Sequence, residues 1–239
     1  TILLILSSFG LYAQMSKDDS LYYEKAISNS IAVYHQNIGD QSGLFNGSQY
    51  GGYNFSFYLN RHPYFLTTEW SYGSIVYDNV FYDNVELLYD EAQELVIFQD
   101  KKHKIQLVPE RISGFSIAGN NFVRLEKDDS LASSLVRNGF YNLLYNGKVQ
   151  VLKKEVKVLK EDLRSTAEGI LHFVDVSTYY YIKKNNEYFP VNGKKSVLDI
   201  YRDKKKELQQ YIKTNKLRYG RDRDTMLVKV SAWYDQLTK

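Results

Sequence analysis

The chain has 239 residues, carries a formal net charge of +3 and contains no cysteine. That last fact excludes disulfides, thiol chemistry, a Cys-based zinc site and the acylated cysteine of a bacterial lipoprotein. With 22 tyrosines against 3 prolines, the composition favours strands and amphipathic surface over a disordered or proline-rich chain.

Residues 2–11 (ILLILSSFGL) are an apolar run of about ten residues, roughly half of what a bilayer-spanning helix needs. Followed by Tyr12, Ala13 and Gln14, the run has the form of a signal-peptide hydrophobic region cleaved after Ala13, with its basic n-region missing. This predicts an exported protein, periplasmic or extracellular, with no transmembrane segment once residues 1–13 are removed. Residues 14–239 are long enough to fill one domain, and an α+β architecture is expected for them.

Within 14–42, Lys17 to Gln36 predicts an N-terminal helix. Asp18 or Asp19 caps it, and Leu21, Tyr22, Ile27, Ile31 and Tyr34 lie along one side. Residues 43–192 are β-rich. Gly43 to Tyr53 holds the turn signals Asn46-Gly47 and Gly51-Gly52, and no Lys-Ser/Thr follows to make it a phosphate loop. Short strands are expected at Tyr53–Tyr58 and Phe65–Glu69. From Gly73 to Val108 the pattern is clearest: Tyr-Asp-Asn-Val occurs at Tyr77–Val80 and again at Tyr82–Val85, and Tyr-Asp returns at Tyr89–Asp90. Val85, Leu87 and Tyr89, then Leu95 and Ile97, then Ile105 and Leu107 recur at every second position. That period of two predicts an antiparallel β-meander in the middle of a larger sheet, with a turn at Asp78-Asn79 or Asp83-Asn84.

Pro109 marks an edge or a turn. Strands are predicted at Ile112–Ile117 and Asn121–Glu126, with Lys127–Ser134 a polar loop. Asn146-Gly147 between Gly139–Tyr145 and Lys148–Lys154 predicts a type I′ hairpin. Val149, Val151, Val156 and Val158 extend the second strand towards Leu159, and Lys160–Gly169 is expected to be an exposed loop. A last hairpin pairs Thr178–Lys183 with Glu187–Val191 through Asn185-Asn186. In residues 193–239 the period changes to about 3.6. Three helices follow: one over Ser196–Tyr201, one capped by Asp203 with Leu208, Tyr211 and Ile212 inward, and one capped by Asp222 or Asp224. Along the third run Leu227, Val230, Tyr234 and Leu237. Helices gathered at one end of the chain indicate segregated α+β, not alternating α/β. Residues 194–239 hold 13 Lys/Arg against 6 Asp/Glu, an excess of +7. This basic segment can meet an anionic surface or form the solvated faces of ordinary helices.

Several of these stretches taken together resemble a known group. They are Gly43-Leu-Phe-Asn-Gly-Ser-Gln-Tyr50, His62-Pro-Tyr-Phe65 with Trp70, the Tyr-Asp strands, Phe122-Val-Arg-Leu125 and Gly139-Phe-Tyr141. Tyr145-Asn-Gly-Lys148, Lys194-Lys-Ser196 leading to Lys204-Lys-Lys-Glu-Leu208, Leu227-Val-Lys-Val230 and Tyr234-Asp235 complete the pattern. In that combination the chain resembles uncharacterised exported proteins of Bacteroidota. The resemblance spans nearly all of residues 14–239 and implies export and one domain. The group has no assigned function, so the resemblance carries over no catalytic residue.

Motifs for chemistry are sparse. His35, His62, His103 and His172 are scattered without metal-ligand spacing, so no metal and no cofactor are expected. Asp78, Asp83 and Asp90 with Asn79 and Asn84 match no EF-hand and suit hairpin corners. No G-x-S-x-G elbow occurs. Glu86 with Asp90, or Asp83 with Glu94, are carboxylate pairs whose separation a sequence does not fix. Aromatic residues are the one concentrated feature: Tyr50, Tyr53, Phe57, Tyr58, Tyr64, Phe65, Trp70 and Tyr72 crowd one stretch. They can fill a core or stack on a ligand, and Tyr50, His62, Tyr64, Trp70 and Tyr72 are the candidate ligand-binding residues. Only Arg61 supplies positive charge among them, which excludes a nucleic-acid surface. The expected function is a non-catalytic binding or structural module of the cell envelope, with an envelope protein, peptide or glycan as partner. The alternative is a periplasmic hydrolase of glycan or peptide using His62 and Glu69, in which His62 would be hydrogen-bonded to a carboxylate.

Overall fold

The computed structural model describes residues 41–239 apart from 101–102, 127–135 and 167–168. The expected signal peptide, the helix over Lys17–Gln36 and the Lys127–Ser134 loop lie outside the described residues, and residues 43–239 form one compact unit. Among the described residues eleven strands build one sheet in the order β1-β5-β4-β3-β2-β6-β7-β8-β9-β10-β11, and every neighbouring pair is antiparallel. They are β1 (Ser48–Gln49), β2 (Ser71–Tyr77), β3 (Val80–Asp90), β4 (Leu95–Asp100), β5 (His103–Gln106), β6 (Ile112–Ile117), β7 (Asn120–Leu125), β8 (Gly139–Asn146), β9 (Gln150–Thr166), β10 (Gly169–Lys184) and β11 (Glu187–Pro190). Three helices follow: α1 (Lys194–Ile200), α2 (Lys205–Thr214) and α3 (Arg223–Leu237). The architecture is therefore a large antiparallel sheet with its helices gathered at the C-terminal end.

The first Tyr-Asp-Asn-Val repeat closes the β2–β3 hairpin. Asp78 and Asn79 both take positive φ, at 51° and 64°, the pair of left-handed conformations that a two-residue turn between twisted strands requires. Arg111 clamps the Asp78 carboxylate from the loop before β6. The second repeat lies inside β3, where Asn84 also has positive φ and the register against β2 slips between Gly73 and Ile75. One tetrapeptide thus serves as a turn and then as a bulge, because Asn tolerates the left-handed region in either setting. Asn185 and Asn186, both at positive φ, turn β10 into β11 as expected.

Four expectations are corrected. Tyr53–Tyr58 and Phe65–Glu69 are not strands but irregular backbone. Single bridges tie this region to the sheet, Phe57 to His172 on β10 and Tyr64, just before the second stretch, to Asp90 on β3. Residues 160–166 are not a loop: β9 runs to Thr166 and pairs with β10 along its length, so the valine alternation understates the strand. Asn146-Gly147 is not a type I′ turn, since neither residue has positive φ and the strands close at the pair Asn146–Gln150. Asp235 of α3 decides that geometry. Its carboxylate accepts from the Tyr145 hydroxyl at 2.9 Å and the Lys148 N–H at 2.7 Å, and a Cβ on Gly147 would lie 2.1 Å from it. Finally, Asp203 does not cap α2. Its carboxylate accepts from Lys184 Nζ and the Tyr234 hydroxyl, at 2.9 and 3.0 Å.

Two large cores divide the unit. One gathers Ile75, Tyr77, Val85, Leu87, Tyr89, Val96, Phe98, Phe115, Phe122 and Phe140 on one face of the central strands, joined by Phe65. Its rings meet at close range, as in Phe115–Phe122 (4.7 Å) and Phe65–Phe122 (5.0 Å). The other seats the helices on the C-terminal strands: Val149, Val151, Tyr180 and Ile182 face Leu198, Tyr201, Leu208, Ile212, Leu227, Val230 and Tyr234. Asp222 caps α3 by accepting from the Thr225 N–H. Asp224, the other candidate cap, accepts instead from the Tyr180 hydroxyl at 2.6 Å and Lys153 Nζ at 3.2 Å, so polar bonds as well as apolar contacts dock α3 on the sheet. At the far edge, the Val191 N–H bonds back to Tyr180. The alternation along β11 therefore turns Pro190 outward, where it has no N–H to offer a further strand.

Candidate functional site

The aromatic stretch is organised by one carboxylate. Asp90 ends β3 and is fully buried. Its Oδ1 accepts from the Ala92 and Gln93 N–H groups, both at 3.0 Å, fixing the β3–β4 turn. Its Oδ2 accepts from the hydroxyls of Tyr50 (2.9 Å) and Tyr53 (2.8 Å) and from Gln93 Nε2 (3.1 Å). Five donors and no cation thus satisfy a buried charge, the condition under which such burial is tolerated. Tyr50 spends its proton on Asp90, so across the 3.2 Å Tyr50–Tyr64 contact Tyr64 is the donor. Burial and the nearby carboxylate push all three phenols above their usual range, which keeps them protonated donors.

Backbone pairing sets the rings. The Tyr50 N–H bonds to the Lys104 carbonyl at 2.8 Å, carrying the β1–β5 ladder one residue further. The Phe65 N–H bonds to the Tyr89 carbonyl at 2.8 Å, so Tyr64 is held beside the end of β3. Between these two walls lies a cleft of about 250 Å³ lined by Tyr50, Gly51, Gly52, Tyr53, Tyr64, Thr68, Trp70, Leu88 and Lys104. Gly52 has φ 65°, and nothing stands within 4 Å of where a Cβ on Gly51 would point. The pair therefore opens one side of the cleft instead of walling it. Lys104 Nζ lies 5.8 Å from the Trp70 ring centroid. Because the tyrosine hydroxyls are tied to the Asp90 network, the cleft presents ring faces, one exposed ammonium and backbone polar groups. From Tyr53 a ladder of rings continues through Phe55 to His172, the last two stacked at 3.8 Å.

Three of the five candidate residues, Tyr50, Tyr64 and Trp70, meet in this cleft. Tyr72 does not: it stands on β2 opposite Glu86, 65 % exposed, outside the lining. His62 does not either. It stacks beside Tyr64, with centroids 6.1 Å apart, but lines a separate cavity of about 630 Å³ with Arg61, Leu66, Glu155 and Lys157. Its Nδ1 is buried and has no hydrogen-bond partner among the described residues. Burial, then the Lys157 ammonium, hold its pKa below the usual range. Among the described residues no hydrogen bond or ion pair joins His62 to Glu69, and no carboxylate orients its ring. A general base needs such an orienting partner. The proposed carboxylate pairs are likewise occupied: Asp90 holds tyrosines, Glu86 accepts from Gln99, and Glu94 pairs with Lys154. No group of three or more His, Asp or Glu side chains suited to a metal occurs among the described residues, and none of their helices is long and apolar enough to cross a membrane.

Sequence reasoning missed Asp90 and Lys104. Asp90 carried a signal, a Tyr-Asp at a strand end beside an aromatic cluster, but the same signal fits any hairpin corner. Lys104 carried none, because only the β1–β5 pairing brings it to the rings. No family model, curated protein or solved structure matches the chain.

Proposed function

We propose that the protein is an exported, non-catalytic binding module of the cell envelope, related to the exported proteins of Bacteroidota that its motifs resemble. In this reading the cleft at Tyr50, Tyr64 and Trp70 receives a glycan. The observation that carries it is the convergence of these rings around a cavity of about 250 Å³ whose tyrosine hydroxyls are spent inward on Asp90. Bare ring faces suit the C–H faces of a sugar ring, while Lys104, Thr68 and the Gly51-Gly52 backbone can bond its rim of hydroxyls. The cleft is smaller than the roughly 300–1,000 Å³ of sites that enclose a drug-sized ligand, so it fits one ring at the end or branch of a chain. Among the described residues His62 has no carboxylate partner, which leaves the hydrolase reading through His62 and Glu69 without support.

Indole fluorescence tests the reading. The chain has 2 tryptophans, and Trp233 stacks on Tyr211 at 5.0 Å, so Trp233→Phe leaves Trp70 as sole reporter. Titration with envelope monosaccharides and oligosaccharides should shift its emission saturably, and Tyr64→Ala should abolish the shift. A response to peptides alone would reassign the ligand, and no response to either class would remove the binding function from this cleft.

A further inference from the structure

A second site lies in the loop between α2 and α3. Lys216, Leu217, Arg218, Arg221, Asp222, Thr225 and Met226 line a cavity of about 360 Å³. Met226 is buried and Leu217 half-buried, giving an apolar base. The Asp222 carboxylate is already engaged in capping α3. Three exposed cations remain on the walls, and among the described residues none of them forms an ion pair or a side-chain hydrogen bond. The largely buried lysines of the sheet, by contrast, have carboxylate partners: Lys153 with Glu155 and Asp224, Lys154 with Glu94, Lys157 with Glu91, Lys184 with Asp203. Here three cations and the one capping carboxylate, Asp222, surround a single cavity, leaving a net positive charge that an entering anion would offset.

From the donor set we infer that this cavity binds a phosphomonoester group, independently of the aromatic cleft. Two guanidinium groups and an ammonium offer forked and single N–H donors together with three positive charges. One guanidinium saturates a carboxylate with a single bidentate pair, whereas a dianion with three terminal oxygens uses all three side chains. The group can come from a lipid headgroup or from a soluble phosphate ester. Both present the same three oxygens.

Inorganic phosphate is the direct probe. Added to the full chain in an NMR titration, it should shift the amides of residues 216–225 saturably, and acetate at equal concentration should shift them far less. Raising ionic strength from about 0.1 to about 0.5 M should weaken the response, since exposed charges are screened over a few ångströms at high salt. The double variant Arg218→Gln/Arg221→Gln should bind phosphate on the order of tenfold more weakly, through loss of its charge-assisted bonds. Both residues are exposed, and an unchanged far-UV spectrum will show that the fold is retained. Arg202→Gln, an exposed cation lining a different groove, should bind as the parent does. Sedimentation with phosphatidylcholine vesicles containing phosphatidic acid identifies the source. If phosphate competes with sedimentation, the group is a headgroup; if phosphate binds and the vesicles do not sediment the protein, it is a soluble ester. Equal response to acetate, parental affinity in the double variant, or an equal loss in Arg202→Gln would overturn the assignment.

Discussion

Glu91 follows Asp90 and meets the opposite fate. Its side chain is 3 % exposed and pairs with Lys157 Nζ at 3.0 Å, while Lys157 also donates to the carbonyls of His62 (3.3 Å) and Tyr64 (2.5 Å). Desolvation pushes the Glu91 carboxyl up from 4.5 to about 7, with Lys157 pulling it down and Glu155 and Glu94 adding repulsion. The folded chain therefore holds this proton more tightly than the unfolded chain. Its contribution to stability is fully present below about pH 4.5 and is lost as pH rises towards about 7. Glu91→Gln removes the titration. Urea unfolding of parent and variant across that window should show the parent losing more stability with rising pH, and parallel curves would refute the assignment. Asp90, by contrast, accepts five hydrogen bonds, so the two adjacent carboxyl groups serve different roles.

At the level of elements, α3 shows which contacts hold the helical layer. Leu227 and Val230 are fully buried and Tyr234 nearly so, and the Tyr201 hydroxyl meets Ser231 Oγ at 2.8 Å. Leu227→Ala should destabilise the chain by about 2–5 kcal/mol, the cost of lost apolar burial plus the cavity left behind. Replacing Lys204, Lys205 and Lys206 with Gln should cost no more than roughly 0.5 kcal/mol per site, as for other surface substitutions. Lys205 pairs with Asp199 only in an exposed setting, where such pairs contribute little. Equilibrium denaturation separates the two, and a stability loss in the lysine variant comparable to that of Leu227→Ala would show that the basic face is structural. The +7 excess is carried mainly on solvated helix faces and the α2–α3 loop, with Arg202, Lys206, Lys213, Lys216, Arg218, Arg221, Arg223 and Lys229 all exposed.

For the whole molecule, the export reading makes a chemical statement about its N-terminus. Protein recovered from the native envelope should begin at Gln14, and Edman degradation or intact mass reads that directly. An intact Ile2–Leu11 segment in a soluble cytoplasmic fraction would exclude export. The folded unit of residues 43–239 contains no disulfide. Its stability rests on two apolar cores and on paired charges that link the β3–β4 turn to β8 and β9, as where Glu94 bonds Lys154 and the Phe140 N–H.

Period-two alternation in residues 73–108, the Asn-rich corners and the change of period after Gly193 determined the antiparallel sheet and its terminal helices without any structure. These are local properties, because strand faces, positive-φ turns and helix stripes each depend on residues only a few positions apart. The aromatic stretch was legible as a concentration of rings but not as a site. Tyr53–Tyr58 alternates as a strand would, yet it finds a ladder partner only at Phe57, so its rings turn to Tyr64 and His172. The Asn146-Gly147 turn shows the same limit, since Asp235, far along the chain, overrides the local preference. Which of Tyr50, Tyr64, Trp70 and Tyr72 share a cleft was decided only in three dimensions. The β1–β5 ladder and the buried Asp90 draw Tyr50 and Tyr64 together and Trp70 packs against the same cluster, while β2 carries Tyr72 away. Such pairings join residues dozens of positions apart, and no spacing in the sequence encodes them.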